Sequence, residues 1–240
     1  MRRITSVSIF ERVLLSASQS RAKAACRLIL ALSIILAASC TAAANQNFSV
    51  KPSPAWVEKL PPAAAIAPDS EDNSGVIEIL GDYQYRVTAT GTEHYYHRIR
   101  KLVSSPALED SAEIKVDFEP SYQELVIHHV SIIRNGTTIN ALRPNEIKVI
   151  QRENDLYQRI YNGTLTALIF PNDVRVGDVI DYAFSVNGDN PVLGGRFVGT
   201  FRFAESDPVR RLRWRLIVPS SRAIYLRNQN SDIKPEIKET

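Results

Sequence analysis

Several segments of the chain alternate between polar and apolar residues, the pattern of a strand with one buried and one solvated face. Residues 113–118 (EIKVDF) and 211–216 (RLRWRL) show this alternation most clearly. Residues 104–112 differ, because Pro106 suits the first turn of a short helix. These patterns predict a strand-rich domain with one short helix.

A hairpin is predicted around Asn135-Gly136, because this dipeptide tolerates the positive φ angles of a tight turn. The dipeptide lies between two strand-like segments, residues 122–133 and 137–142. Two further apolar runs, residues 165–170 and 179–186, are bounded by turn-forming residues. Short strands at this spacing predict an all-β fold, a two-sheet antiparallel β-sandwich.

Alternation in the last of these strands predicts that Trp214 is buried between the sheets, with Arg213 and Arg215 outside. Arg211 shares the arginine face, and Arg202 is expected to join it from a neighbouring segment. We interpret the arginines as a solvated outer face that deters edge aggregation. The alternative is a surface that meets anionic envelope polymers or lipid headgroups. On the first interpretation, Arg213→Ala changes stability by no more than about 0.5 kcal/mol.

Residues 1–44 have the three parts of a secretory signal peptide: a basic start, an apolar run and a small-residue exit. The apolar run covers residues 28–38, and Ala42-Ala43-Ala44 follows it. A membrane span needs about 20 apolar residues, and this run is shorter. We therefore expect cleavage after Ala44 and export to the periplasm, rather than a retained anchor.

Cys40 offers a second processing route. Residues 36–40 (LAASC) resemble a bacterial lipoprotein box, in which the cysteine is acylated and holds the protein at a membrane. Ala37 stands where such a box usually has a bulky residue. Cleavage after Ala44 instead removes both cysteines, Cys26 and Cys40, and leaves no thiol for a disulfide or for catalysis. Both routes stay open.

The signal peptide carries much of the positive charge. The full sequence has 29 basic and 26 acidic residues, a net charge of +3. Without residues 1–44, 23 basic and 25 acidic residues remain, a net charge of −2. A nucleic-acid partner normally requires a clustered positive surface, so we expect none. The remaining 196 residues suffice for one well-buried domain.

Residues 45–75 are predicted to be a linker with a short docking segment around Trp56 and Leu60. The segment is rich in proline and ends in a polar run, and neither feature supports a packed core. The folded domain is expected to cover residues 76–228. Residues 229–240, with charged residues around a proline, are expected to begin another linker.

Four histidines follow the signal peptide, in the pairs His94/His97 and His128/His129. On a regular strand the members of each pair point to opposite faces, so neither pair alone gives convergent metal ligands. One histidine from each pair can meet across strands, although structural zinc usually needs four ligands. We expect no metal and no cofactor, with the cross-strand site as the alternative.

The sequence contains no nucleophile elbow, no glycine-rich phosphate loop and no His-Glu-x-x-His helix. Acid pairs such as Glu153/Asp155 and Asp178/Asp181 have the chemistry of a general acid and base. Such pairs occur by chance in every soluble domain, so no catalytic residue is assigned. A hydrolase that uses carboxylates outside any known motif remains an alternative to a non-catalytic module.

Four blocks of sequence resemble a known family. They are FEPSYQ at residues 118–123, YNG at 161–163, DVRVGDVIDY at 173–182 and GDNPVLGGRF at 188–197. In their order and spacing these blocks resemble the bacterial domain of unknown function 3857, over about residues 76–227. The resemblance implies a two-sheet β-sandwich in the bacterial envelope that sits ahead of a transglutaminase-like domain.

The transglutaminase-like domain of such proteins supplies a Cys-His-Asp triad, which has no counterpart in these 240 residues. The resemblance therefore carries over no catalytic residue. We expect a non-catalytic exported module that positions or regulates a transglutaminase-like domain, in cis or in trans. An independent envelope module that binds a peptide or glycan is the alternative.

Within residues 173–182, Gly177 permits a tight turn and Asp178 can accept backbone N–H bonds there. Arg196 is expected to form an internal ion pair with Asp178 or Asp181. The alternative is that these three residues are weak candidates for ligand binding, with the guanidinium presented to a carboxylate.

Overall fold

The computed structural model of the chain describes residues 47–60, 75–151, 163–203 and 207–239. The predicted signal peptide (1–44), residues 45, 46 and 61–74 of the predicted linker, and Glu153 and Asp155 lie outside the described residues. In the described parts, no helix combines the length and the hydropathy needed to cross a bilayer.

Ten strands and one α-helix are found in the described residues. The strands are β1 Phe48–Val50, β2 Val76–Val87, β3 Thr92–Leu102, β4 Ile114–Phe118, β5 Glu124–Arg134, β6 Thr137–Asn140, β7 Lys148–Gln151, β8 Leu165–Ile169, β9 Val179–Asn187 and β10 Leu212–Ile217. The helix α1, Ser105–Ser111, has Pro106 in its first turn, and the Ser104 hydroxyl caps it by accepting from the Ala107 N–H. The predicted helix is confirmed.

The strands form two sheets, which confirms the predicted all-β fold. The large sheet has the order β1-β5-β9-β3-β2-β10, with β6 added to β5. The small sheet has the order β4-β8-β7. Neighbouring strands are antiparallel except at the two edges of the large sheet, where β1 runs parallel to β5 and β10 runs parallel to β2. The antiparallel prediction therefore holds inside both sheets and fails at these two edge pairs.

One core contains buried side chains from both sheets. Ile114, Val116 and Phe118 are the inward residues of β4, whose burial alternates as predicted. Their partners in the large sheet include Leu125 and Ile180, which are fully buried. Removing such side chains from water is the main stabilising term of the fold.

The hairpin around Asn135-Gly136 is confirmed. Both residues have positive φ angles, 49° and 78°, and Arg134 pairs with Thr137 across the turn. A second glycine has a steric role, because a Cβ on Gly188 would lie 1.9 Å from the Tyr122 carbonyl oxygen. The start of the 188–197 block thus packs against the end of the 118–123 block, and only glycine fits there.

The face of the large sheet that points away from the core is covered in part by residues 51–60. The backbone of Glu58 exchanges two hydrogen bonds with the Gln84 side chain, at 3.1 and 2.8 Å. The Lys51 carbonyl lies 2.8 Å from His128 Nδ1, and the Arg86 guanidinium lies over the Trp56 ring. Side-chain amides and cations of the sheet thus hold this proline-containing segment in place.

Trp214 and Arg213 do point to opposite faces of β10, but both environments differ from the sequence prediction. Trp214 is half-buried and stacks on Tyr83 at a centroid distance of 4.2 Å, beside Phe201. Arg213 does not project into solvent, because its guanidinium forms an ion pair with the buried Asp82 carboxylate. Arg215 donates to Trp56 O and to Gln84 Oε1. The interpretation of a solvated arginine face was therefore wrong at these two positions.

Candidate functional site

Three side chains from the middle of the large sheet converge on its outer face. His97 of β3 and His129 of β5 each place Nε2 2.8 Å from Oδ1 of Asp181, on the intervening strand β9. An ionised carboxylate only accepts hydrogen bonds, so both imidazoles donate from Nε2–H in this arrangement. We call these three residues the His-Asp-His cluster.

A β-bulge in β5 produces this convergence. The register between β5 and β9 shifts between Ile127 and His129, so one residue is added to β5 there. As a result both histidines of the second pair contact β9 on one face: His129 reaches Asp181, and His128 reaches Ser185. The prediction of opposite faces was wrong for this pair, because it assumed a regular strand.

The cluster is accessible to solvent, and its hydrogen bonds lower the pKa of Asp181. The side chains of His97, Asp181 and His129 are 19%, 24% and 36% exposed. Burial raises the pKa of Asp181, but the hydrogen bonds and charges of His129 and His97 outweigh it, so its pKa lies well below the usual range. Asp181 therefore stays ionised and can bind a cation.

Asp178 occupies a different environment, at the turn before β9. Its carboxylate accepts from Arg134 Nε at 2.9 Å and from Arg134 Nη2 at 2.7 Å, and from the Arg175 N–H at 2.8 Å. The hydrogen bonds from Arg134 are the main reason that the pKa of Asp178 is lowered. The predicted turn at Gly177, with φ of 91°, and its capping by Asp178 are both found. Asp178 thus fixes a loop.

Arg196 is exposed, and within the described residues its side chain pairs with neither Asp178 nor Asp181. The expected internal ion pair was therefore wrong. Asp178 instead pairs with Arg134, which is 44 residues away in sequence. The three weak candidates are thus distributed over three separate environments.

A cleft of about 410 Å³ lies on the core-facing side of the large sheet, beside β4. Aromatic rings and cations dominate its walls. The lining residues are Tyr83, Tyr96, Arg98, Arg100, Glu113, Lys115, Tyr182 and Phe184. Rings of this kind offer stacking surfaces, and the cations offer charge-assisted hydrogen bonds.

Arg98 and Arg100 differ in how their charge is neutralised. Arg98 forms a bidentate pair with Glu78, at 2.9 and 2.8 Å. Arg100 donates to Ser111 O and to Tyr182 Oη and lies over the Tyr182 ring. Within the described residues Arg100 has no carboxylate partner, and its buried Nε has no acceptor. Arg100 is therefore suited to an anionic ligand in the cleft.

A third feature is a surface of large apolar side chains in the loop after β9 and in the segment after β10. Val192, Val198 and Tyr225 are 88%, 72% and 93% exposed. The Arg222 guanidinium donates to the Gly195 carbonyl at 2.6 Å and so joins the two segments. We call this set the exposed apolar surface: Val192, Val198, Ile224, Tyr225 and Leu226.

These features define the class as an all-β module whose described residues offer a cleft, a His-Asp-His cluster and an exposed apolar surface. The chain belongs to the family of the domain of unknown function DUF3857, whose model matches residues 89–240. This confirms the resemblance found in the sequence. A search of curated proteins finds no match.

Among solved structures, the chain is similar to a "putative protease" from Parabacteroides distasonis. The TM-score is 0.50 at 16% sequence identity, over 61% of this chain. The matched region is 29% of the Parabacteroides chain, so this chain spans less than a third of that protein. At this identity the similarity concerns the fold.

Proposed function

We propose that this chain is a non-catalytic exported module that accompanies a transglutaminase-like domain with a Cys-His-Asp triad and positions it. The exposed apolar surface is the observation that carries the proposal. Val192 and Tyr225 are highly exposed and lie on the two segments that the Arg222–Gly195 hydrogen bond joins, and contiguous exposed apolar area is typical of protein interaction sites. In the proposal this surface binds the catalytic domain.

Two further facts support the proposal. From Asn47 onward the sequence has no cysteine, so this part of the chain supplies no thiol nucleophile for transglutaminase-type acyl transfer. In the Parabacteroides chain a region of this fold accounts for 29% of a protein described as a protease, which leaves most of that protein for other domains. An accessory module beside a catalytic domain is consistent with both facts.

Photocrosslinking tests the proposal in the cells that produce the protein. We expect p-benzoylphenylalanine at position 225 to crosslink to a polypeptide segment that carries the Cys-His-Asp triad. The same group in place of Thr138, an exposed residue of β6, serves as the control and should not. Mass spectrometry of the crosslinked peptides identifies the partner, whether it lies on the same or another polypeptide. Equal crosslinking from both positions, or crosslinks only to unrelated proteins, would contradict the proposal.

The cleft favours a second candidate, a module that binds an acidic envelope peptide or glycan. Four aromatic rings suit stacking on a sugar, and the Arg100 guanidinium lacks a carboxylate partner within the described residues. We expect saturable binding of an N-acetylmuramyl peptide and much weaker binding of an uncharged chitooligosaccharide. Loss of one charge-assisted hydrogen bond costs about 1.5–3 kcal/mol, so Arg100→Gln should weaken binding about ten- to a hundredfold.

Lys101→Gln is the matched control for the cleft, since Lys101 is the next residue of β3 and points to the opposite face. Isothermal titration calorimetry on the three proteins measures the effect. If the muramyl peptide binds Arg100→Gln as tightly as the parent chain, the cleft is not its site. Binding to the cleft with no crosslink at position 225 would favour this second candidate over the first.

A further inference from the structure

The His-Asp-His cluster has the donor set of a transition-metal site. Two imidazole nitrogens and one carboxylate oxygen lie within 4.8 Å of one another. Imidazole and carboxylate ligands together suit Zn²⁺, for which three protein ligands and one exchangeable position are a recurrent arrangement. The proposed function of the module uses none of these three residues, so this inference is independent of it.

The backbone holds the three ligands firmly. β5, β9 and β3 are adjacent strands in the interior of the large sheet, and β9 is hydrogen-bonded to both neighbours along most of its length. His97 and His129 both stand opposite Ala183, a buried small residue that leaves room between the two rings. Ligands on rigid central strands need little ordering when an ion binds.

The two nitrogen–oxygen distances fit an ion after a small adjustment. Zn–N bonds of about 2.0–2.1 Å in a tetrahedral site put ligand atoms about 3.3 Å apart. Each Nε2 now lies 2.8 Å from Asp181 Oδ1, in a hydrogen bond. If each imidazole ring rotates so that Nε2 moves about half an ångström away from Oδ1, both nitrogen–oxygen distances reach the value that a tetrahedral ion requires. In exchange, the ion replaces the two protons that now lie between the ligand atoms.

The charges around the cluster favour a cation as well. Within the described residues, Asp181 forms no ion pair with lysine or arginine, and its side-chain partners are the two imidazoles. The exposure of the three side chains, 19–36%, gives an ion a path from solvent and leaves space for a water ligand.

We propose that His97 Nε2, His129 Nε2 and Asp181 Oδ1 bind one Zn²⁺ ion on the outer face of the large sheet. The remaining coordination position is open to water or to a donor atom of a bound partner. The competing explanation is a metal-free hydrogen-bonded network, in which Asp181 only fixes the two rings.

Metal titration of the full chain distinguishes the two explanations. Cys26→Ser and Cys40→Ser are included in every protein, so that no thiolate contributes to binding, and a mild detergent keeps the signal segment in solution. We expect Zn²⁺ to bind at one site per chain in calorimetry, and Co²⁺ to give visible d–d absorption. Mutating a residue that only hydrogen-bonds to a metal ligand typically lowers metal affinity about 10–100-fold. Replacing a ligand itself, as in His97→Gln, His129→Gln or Asp181→Asn, should therefore weaken binding at least about a hundredfold.

His94→Gln is the matched control, because His94 lies on β3 as His97 does but faces the opposite side and stacks on Tyr85. This variant should bind zinc as tightly as the parent chain. Zinc binding that is equal in all five proteins, or absent at millimolar Zn²⁺, would overturn the site and leave the hydrogen-bonded network.

A second measurement avoids variants that fail to fold. Diethyl pyrocarbonate modifies accessible imidazoles, and mass spectrometry locates each modified residue in the parent chain. Saturating Zn²⁺ should protect His97 and His129, whereas Mg²⁺, which prefers oxygen ligands, should not. Modification of both histidines at the same rate with and without Zn²⁺ would also overturn the proposal.

Discussion

Arg213→Ala is expected to lower the free energy of unfolding by about 3–5 kcal/mol, because it leaves a buried carboxylate without its cation. Asp82 is 1% exposed, and Arg213 binds it through Nε at 2.7 Å and Nη2 at 3.0 Å. The Gln84 amide remains as a donor to Asp82 Oδ2, but it carries no charge. Urea unfolding followed by far-UV circular dichroism measures the loss.

Arg211→Ala is the matched control for this prediction. Arg211 lies two residues earlier and is exposed, so its loss should change stability by no more than about 0.5 kcal/mol. A double variant, Asp82→Asn with Arg213→Met, should recover part of the loss, because no unpaired charge is left in the sheet. Equal small effects of Arg213→Ala and Arg211→Ala would mean that the ion pair contributes nothing measurable.

The sequence pattern predicted a solvated Arg213, whereas the structure shows it paired with a buried carboxylate. This difference shows what polar–apolar alternation can and cannot predict. Alternation correctly placed Trp214 and Arg213 on opposite faces, since this depends only on the backbone of one strand. It could not show that residues 51–60 lie over the outer face and bury Asp82 there. The environment of a side chain depends on what covers its face, which is a long-range property of the fold.

Whether a strand was predicted from the pattern also depends on what covers its two faces. β4 alternates between buried and exposed residues, and the pattern predicted both the strand and which of its faces is buried. β2 was not predicted as a strand, because both its faces are covered and it buries Glu78, Asp82 and Gln84 among its apolar residues. A strand that buries polar side chains as well as apolar ones shows no simple period of two.

The His-Asp-His cluster required two pieces of information that the sequence does not carry locally. His97 and His129 lie 84 and 52 residues from Asp181, and they meet it only because the strand order is β5-β9-β3. The bulge at Ile127/His129 also turns His129 to the outer face, with no glycine to signal it. The sequence alternative, in which one histidine from each pair meets the other across strands, agrees with the approach of His97 to His129, although it did not specify which two histidines meet. It did not include Asp181.

Phe118→Ala is expected to lower the free energy of unfolding by about 3–5 kcal/mol, the usual cost of truncating a core aromatic residue. Phe118 is 2% exposed at the end of β4, and among the described residues it belongs to a hydrophobic cluster that joins the small sheet to Leu125 and Ile127 of the large sheet. The loss therefore measures how strongly the two sheets depend on each other. Lys115→Ala on the same strand removes an exposed side chain and should stay within about 0.5 kcal/mol.

The number of unfolding transitions of Phe118→Ala tests whether the two sheets unfold together. If the two sheets share one core, circular dichroism and tyrosine fluorescence should report a single transition with the same midpoint, shifted to lower urea. If the small sheet were stabilised independently, the variant would show two transitions, and signals from the large sheet would keep the midpoint of the parent chain. That outcome, or a loss no larger than that of Lys115→Ala, would contradict the common core on which the position of the cleft beside β4 depends.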